Sequence, residues 1–485
     1  MEELRDVNNL NYKIPISADV VAQASMNTYN FNPNQYDNIQ ENDIMQVDFQ
    51  EGKDYIDPQN SYIRLKLNVT DISSTIFSFG KVGSLSVGQQ EYYESDTGES
   101  ILNLIKHVEL VTKNGECIFK ENFKNEMGTL RNYKINLARK QNLSFMGGYS
   151  QVHGFPFFGT TGLSNTFYIP LCEISTFFHS TLIPYKLLSE SVLRLTLADP
   201  RQSVYLYTID GNSAVSAPIS RVNLTANISN VALILSEKQL YPEVNEAINK
   251  KINSPDGLQY SYYTNHTFPI VFPTVPGVSN TQQPYTIPIN LSVAKIKYIA
   301  IKPTPIKNFP PPGLYGGCYP SAKWDSFLPP IQGDAAMPFK IKIRLGNDVL
   351  STYNVETIPE LYEQTSKALA NISFADCHDV DLKRTINKKS TGCLGYHDYF
   401  HYQTNFLLPD GIIDPTIFDT SGLVFAFDFE RTKALGVSGV STNMERLLEI
   451  DILDYQSDAV GDWYVSIQYL AQADLFADGS IAINK

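Results

Sequence analysis

The residues whose types could do chemistry gather in one stretch. Cys377 and His378 precede Cys393, His397 and His401. The Cys393-x3-His397-x3-His401 spacing is one that zinc could use, since thiolate and imidazole are its ordinary ligands. On a helix, His397 and His401 would share a face. The surrounding segment, GCLGYHDYFHYQTNF, carries two glycines and many aromatic residues, which suits a loop better than a stable helix. The second cysteine of a C-x2-4-C pair is also missing. Cys377, Cys393, His397 and His401 are therefore a weak metal candidate, and loop or interface packing is the stronger reading. Asp376, Asp379 and Asp381 could bind a cation, but a hard-cation site needs converging oxygens, and a solvated loop is simpler.

Other reactive patterns are thinner. No Gly-x-Ser-x-Gly elbow occurs, and no cysteine has an activating context. GKVGSLSVG has the glycines of a phosphate loop, yet it lies in a Ser-rich stretch with no clear helix after it. Phe177-Phe178 and Tyr262-Tyr263 could stack on bases. Without interleaved Arg or Lys they read as packing in a barrel or at an interface. The residues predict neither an enzyme nor a cofactor.

The elements that would position these residues read as β-structure. Among 485 residues there are 29 Tyr and 26 Phe against 7 Met. Aromatic residues suit a half-buried pleated surface and form helices poorly. Hydrophobic residues at 43% can fill real cores, and charge at 18% is too low for disorder. The formal net charge of −13 argues against direct nucleic-acid binding, which needs cations to neutralise phosphates. The first thirty residues set Glu2, Glu3, Asp6 and Asp19 against Arg5 and Lys13, so they are no basic arm. Five cysteines are an odd, sparse set and predict no disulfide framework. MEELRDVNNLNYK is polar and predicts no secretory signal. No apolar run reaches the length of a membrane-spanning helix.

Residues 1–43 read as an extended arm, because NTYNFNPNQYDNIQEND holds no period. Alternation begins near Ile44. In SYIRLKLNVT, Ile63, Leu65, Leu67 and Val69 share one face, with Tyr62, Arg64, Lys66 and Asn68 on the other. LIKHVELVTKNGECIFKEN reads as two strands joined at Lys113-Asn114-Gly115, where Asn-Gly supplies the positive φ that a hairpin needs. After further strands, residues 241–284 read as an irregular inter-domain linker. Alternation resumes in VAKIKYIAIKP and FKIKIRLGNDVL. TIPELYEQTSKALA is the best helix, with Thr357 and Glu360 as a capping box. LVFAFDFER, RLLEIDIL and WYVSIQYLAQADL close the chain. The expected fold is all-β: two consecutive eight-stranded jelly-roll sandwiches with few short helices, over 44–240 and over 285–485 with a C-terminal tail.

Several of these segments resemble the double jelly-roll major capsid proteins of DNA viruses. FYIPLCEISTFFHSTLIPYKLLSESVLRLTLAD is similar to the end of that family's first jelly roll, and NVALILSEKQLYPEV to the segment after it. IKIRLGNDVLSTYNVETIPELYEQTSKAL resembles a strand-turn-helix segment of the poxvirus scaffold protein, of the same lineage. LVFAFDFER and WYVSIQYLAQADLFADGSIAI resemble the closing strands. The resemblance covers the chain in ordered patches and fits polinton-like viruses, virophages and large DNA viruses alike. It implies a homotrimer that forms a pseudo-hexameric capsomer in an icosahedral shell. It also implies neighbouring capsomers and minor capsid, penton or cement proteins as partners, and assembly in the host cytoplasm or nucleus rather than secretion. Contact with an internal membrane stays open. So do two alternatives: a transient membrane-shaping scaffold of the same fold, and a glycan- or receptor-binding viral β-sandwich.

Overall fold

A computed structural model describes residues 21–49, 54–70, 76–78, 101–112, 114–122, 157–158, 163–179, 182–189, 191–200, 205–210, 213–218, 225–255, 257–270, 283–303, 331–332, 340–346, 348–350, 364, 367–368, 401–402, 417–419, 425–429, 439–442, 447–455, 463–476 and 480–484. In chain order the first half holds β1 (Val21–Asn30), β2 (Ile44–Asp48), β3 (Tyr55–Thr70), β4 (Ile76–Ser78), β5 (Ile105–Thr112), β6 (Cys117–Asn122), β7 (Phe157–Phe158), β8 (Leu163–Pro170), β9 (Ile183–Pro184), β10 (Ser191–Leu197), β11 (Tyr205–Asp210), β12 (Ser213–Pro218) and β13 (Thr225–Leu240). Two short helices, α1 (Leu171–Ile174) and α2 (Tyr185–Leu188), flank a 3-10 turn at Thr176–His179. The longer helix α3 (Pro242–Ile252) leads into the second half. There follow β14 (Leu258–Ile270), β15 (Gln283–Ile289), β16 (Ile296–Pro303), β17 (Ile331–Gln332), β18 (Lys340–Leu345), β19 (Asp348–Val349), β20 (His401–Tyr402), β21 (Ile417–Asp419), β22 (Phe425–Asp428), β23 (Leu448–Tyr455), β24 (Trp463–Leu475) and β25 (Ile481–Asn484).

The strand order identifies the architecture. One sheet runs β1-β13-β3-β8 and the next β2-β10-β5-β6. Number the eight barrel strands along the chain. The sheets then read first-eighth-third-sixth and second-seventh-fourth-fifth, which is a jelly roll. The second half repeats the order, with β14-β24-β16-β22 in one sheet and β15-β23-β18-β19 in the other. All pairings in these sheets are antiparallel.

Alternation explains the packing. Ile63, Leu65, Leu67 and Val69 of β3 are buried, while Tyr62, Arg64, Lys66 and Asn68 are half-buried. Ile341, Ile343 and Leu345 of β18 are likewise buried against the half-buried Lys342 and Arg344. Apolar side chains from both sheets of each sandwich meet across one core. The β5–β6 hairpin turns where the sequence predicts, with Gly115 at φ +86°. Its amide donates to the Thr112 carbonyl at 2.9 Å. On the outer face of β18 and β23, Arg344 Nη2 donates to Glu449 at 3.0 Å and to Asp451 at 2.9 Å. The Thr286 hydroxyl of β15 donates to the same Asp451 at 2.7 Å. Arg344 beside Asp451 holds that carboxyl below its usual value. Three strands are thus tied by one charged ladder.

Strands of a jelly roll alternate in direction. The first-to-second, third-to-fourth, fifth-to-sixth and seventh-to-eighth connections therefore share one end. Apart from β9 and β25, the extra strands arise from these connections. β4, β7, β11 and β12 form a small sheet on the first barrel, and β17, β20 and β21 form one on the second. The opposite end holds the hairpin turns and, in the first barrel, α1, the 3-10 turn, β9 and α2.

Two expectations are corrected. Part of the expected arm, 1–43, is the strand β1, paired with β13 from Val21 through Asn30. Its sequence VAQASMNTYN hides it, because an edge strand packs only one flank and tolerates polar residues. The expected irregular linker, 241–284, contains helix α3 and the thirteen-residue strand β14, paired residue for residue with β24. The expected helix at 357–370 lies mostly outside the described residues; Gln364, Lys367 and Ala368 are helical.

Candidate functional site

The most elaborate polar and aromatic assembly among the described residues lies between the barrels. β6 and β14 are each the edge of a sheet. An open edge presents unpaired backbone groups, and here the edges cover each other. The Tyr262 hydroxyl donates to the Ile118 carbonyl at 2.6 Å. Three residues further along both strands, Asn265 Nδ2 donates to Glu121 Oε2 at 2.7 Å. The two edges therefore run in the same direction, and the barrels stand parallel with their elaborated ends on the same side.

Further bonds extend the junction. The Ser175 hydroxyl donates to Glu121 Oε1 at 3.3 Å, and Gln468 Nε2 donates to Asn265 Oδ1 at 3.4 Å. The Tyr260 hydroxyl donates to the Phe177 carbonyl, and the Thr176 hydroxyl to the Tyr263 carbonyl. Glu121, Ser175, Asn265 and Gln468 are all buried. A buried carboxylate is tolerable only when such donors replace water. Because Gln468 and Ser466 face this junction side of β24, that strand is buried on both faces.

Rings fill the remaining space. Phe177 lies 5.0 Å from Tyr260, 5.0 Å from Tyr262, 5.2 Å from Phe178 and 5.7 Å from Phe119, centroid to centroid. Edge-on and tilted pairs of this kind add about 0.5–1.5 kcal/mol each beyond burial. Burial pushes the Tyr262 phenol well above its usual pKa, with Tyr469, Cys117 and Glu121 adding to the effect. Burial, with Cys117 and Glu121, raises Tyr469 to about 12. These phenols stay protonated, and that of Tyr262 acts as a fixed donor to the Ile118 carbonyl. The assembly holds two barrels in one relation; it offers no nucleophile-base pair.

The sequence reading of Phe177-Phe178 and Tyr262 as packing agrees with this junction. Tyr263 is half-buried beneath Lys297, whose Nζ sits 4.6 Å from the ring centroid. Cys377, His378, Cys393 and His397 lie outside the described residues, as do Asp376, Asp379, Asp381 and the GKVGSLSVG segment. Of His401 the backbone is described, in β20 opposite Asp419. Among the described residues no group of three or more His, Cys, Asp or Glu could hold a metal ion. Among them also, no helix is long and apolar enough to cross a membrane. Sequence reasoning missed Glu121, Ser175, Asn265 and Gln468. The available signal was polar residues inside otherwise β-forming runs, in ECIFKEN and SYYTNH.

No protein-family model and no curated protein matches the chain. Solved structures do. The chain is similar to the major capsid protein of Faustovirus, at 10% identity and a TM-score of 0.52, over 95% of this chain and 92% of that one. It is similar to a chain of the Sputnik virophage structure determined by cryo-EM, at 10% identity and a TM-score of 0.53, over 98% and 90%. It is also similar to PBCV-1 VP54 as fitted into a reconstruction of Sputnik, at 10% identity and a TM-score of 0.52, over 98% and 100%. Strand order, the paired barrels and this nearly full-length likeness agree: the chain has the double jelly-roll fold of viral major capsid proteins.

Proposed function

We propose that the chain is a major capsid protein, a structural subunit with no reaction of its own. Three copies form a pseudo-hexameric capsomer that tiles an icosahedral shell. The observation that carries this reading is the junction, which sets the two jelly rolls parallel, with both elaborated ends on one side. A block of this form presents flat barrel walls sideways for tiling and leaves the elaborated end free to vary. The nearly end-to-end likeness to the Faustovirus major capsid protein supports it. Neighbouring capsomers, and minor, penton or cement proteins at the gaps between them, are the partners that such a block requires. The virion is then the place where the chain resides, after assembly in the host cell. The acidic net charge of −13 fits a wall that does not itself bind the genome.

The test is purification of the full chain, light scattering behind size exclusion, and negative-stain imaging. The expected result is a trimer with a hexagonal outline. Monodisperse monomers under all solution conditions would overturn the reading.

A further inference from the structure

Strand β1 joins its sheet on one flank, by pairing with β13. None of its ten side chains is fully buried: Val21, Ser25, Asn27 and Tyr29 are half-buried, and the rest are exposed. The first strand of the second barrel differs, since β14 buries Leu258, Tyr260, Tyr262, Thr264 and Asn265. Little apolar surface therefore leaves water when β1 closes on its barrel.

What β1 turns toward the barrel is mostly polar. Asn27 Nδ2 donates to Glu237 Oε2 at 2.7 Å, and the Tyr29 hydroxyl donates to Glu237 Oε1. Glu237 lies on β13 and is 1% exposed. Closure of β1 thus takes a carboxylate out of water and gives it two donors in exchange. Ser25, the cross-strand neighbour of Glu237, has a buried hydroxyl with no hydrogen-bond partner among the described residues. The Tyr185 hydroxyl of α2 is in the same state. Tyr29 stands beside it, but without the geometry of a hydrogen bond. Groups of this kind regain partners when water reaches them, so closure is weakly favoured.

The two ends of β1 are held unequally. Just past its C-terminal end Phe31 is buried. The next residue, Asn32, exchanges two backbone bonds with Gln46 of β2, at 2.7 and 3.1 Å. At the N-terminal end the register shifts between Val21 and Gln23. β13 is secured without β1, because its other flank pairs with β3 between Thr225 and Lys238. An edge with few buried apolar contacts can open while its neighbours stay folded.

We infer that β1 is a strap. Residues 21–30 detach from β13 as a unit, hinged at Phe31 and latched by Asn27 and Tyr29 on Glu237, while both barrels persist. The first strand can therefore change its attachment without unfolding of the core. The strap operates in the single chain, whether or not three chains assemble.

The test is amide hydrogen exchange on the full-length chain at neutral pH, resolved by fragmentation mass spectrometry. The β1 amides that bond to β13 are expected to exchange at least a hundredfold faster than the paired amides of β3. Glu237→Gln replaces the latching carboxylate with an amide. It is expected to speed exchange in β1 at least tenfold and to leave β3 and β24 unchanged. Tyr29→Phe removes one latch donor and keeps the ring, and at least a threefold selective increase is expected; it carries the test alone should Glu237→Gln fail to fold. Amides of β1 that exchange in step with those of β3 in the wild-type chain overturn the strap. Variants that leave β1 exchange unchanged, or that speed β1 and β3 equally, overturn the latch at Glu237.

Discussion

The carboxylate of Glu121, on the first barrel, accepts a hydrogen bond from the side chain of Asn265, on the second, at 2.7 Å. Both groups are buried. The bond spans 144 residues of sequence, so it forms only when both barrels have taken their final relation.

That bond predicts an asymmetric mutational cost. Asn265→Ala removes a donor and leaves a buried carboxylate short of partners, for a loss of about 1–3 kcal/mol. Glu121→Gln keeps an acceptor on nearly the same atom and removes the buried charge, so it should cost less. Urea unfolding followed by circular dichroism measures both. An Asn265→Ala variant within roughly 0.5 kcal/mol of wild type, the level of an ordinary surface change, would contradict the assignment.

Two glycines separate backbone strain from collision. Gly115 sits at φ +86° with nothing within 4 Å of an added Cβ. Gly257, in the turn between α3 and β14, sits at φ +65°, and an added Cβ would lie 2.6 Å from the Leu475 carbonyl oxygen. Gly115→Ala should cost about 1–2 kcal/mol, the ordinary left-handed penalty. Gly257→Ala should cost clearly more, because backbone must also move away from backbone. Equal shifts in melting temperature would show that the turn at Gly257 relaxes freely.

His107 makes acid stability measurable at one residue. Burial, then the positive charge of Lys120, lowers its pKa from 6.5 to about 4, with Lys106 acting the same way and Glu109 opposing. Its Nε2 lies 3.0 Å from the Thr196 hydroxyl oxygen. Between those two pKa values the unfolded chain binds the proton that the folded chain refuses. The contribution is therefore fully present above the unfolded value and is lost as pH falls through this window. A full shift of this size corresponds to at most about 3 kcal/mol, and partial solvent access reduces it. His107→Gln should flatten the fall in urea midpoint between pH 7 and pH 4. An unchanged slope would assign the acid response to other groups.

Much of the fold could be read from alternation. β3 and β18 show their buried faces in sequence because one face of each packs on a core and the other meets solvent. Strands at contacts with other bodies were harder to see. β14 carries Tyr, Asn, Thr and Ser on both faces, because its polar atoms bond to the first barrel rather than to water. A reading that equates polarity with exposure turns such a strand into a linker. β1 failed for the opposite reason: an edge with one unpaired flank demands little apolar content. The junction residues were illegible singly, since Glu121 and Asn265 acquire meaning only from each other. The histidine and cysteine spacing drew attention because local spacing is visible, whereas a site between barrels has no local signature.

The order of events on the ribosome follows from where the junction lies. All eight strands of the first barrel are encoded before residue 241, and barrels complete in sequence can fold as they emerge. At that moment the β6 edge is bare and able to pair with any passing strand. The cover arrives on the same chain, with Tyr262 and Asn265, directly after the short helix α3. The newborn protein thus carries its own guard against premature aggregation, timed by little more than the length of one helix.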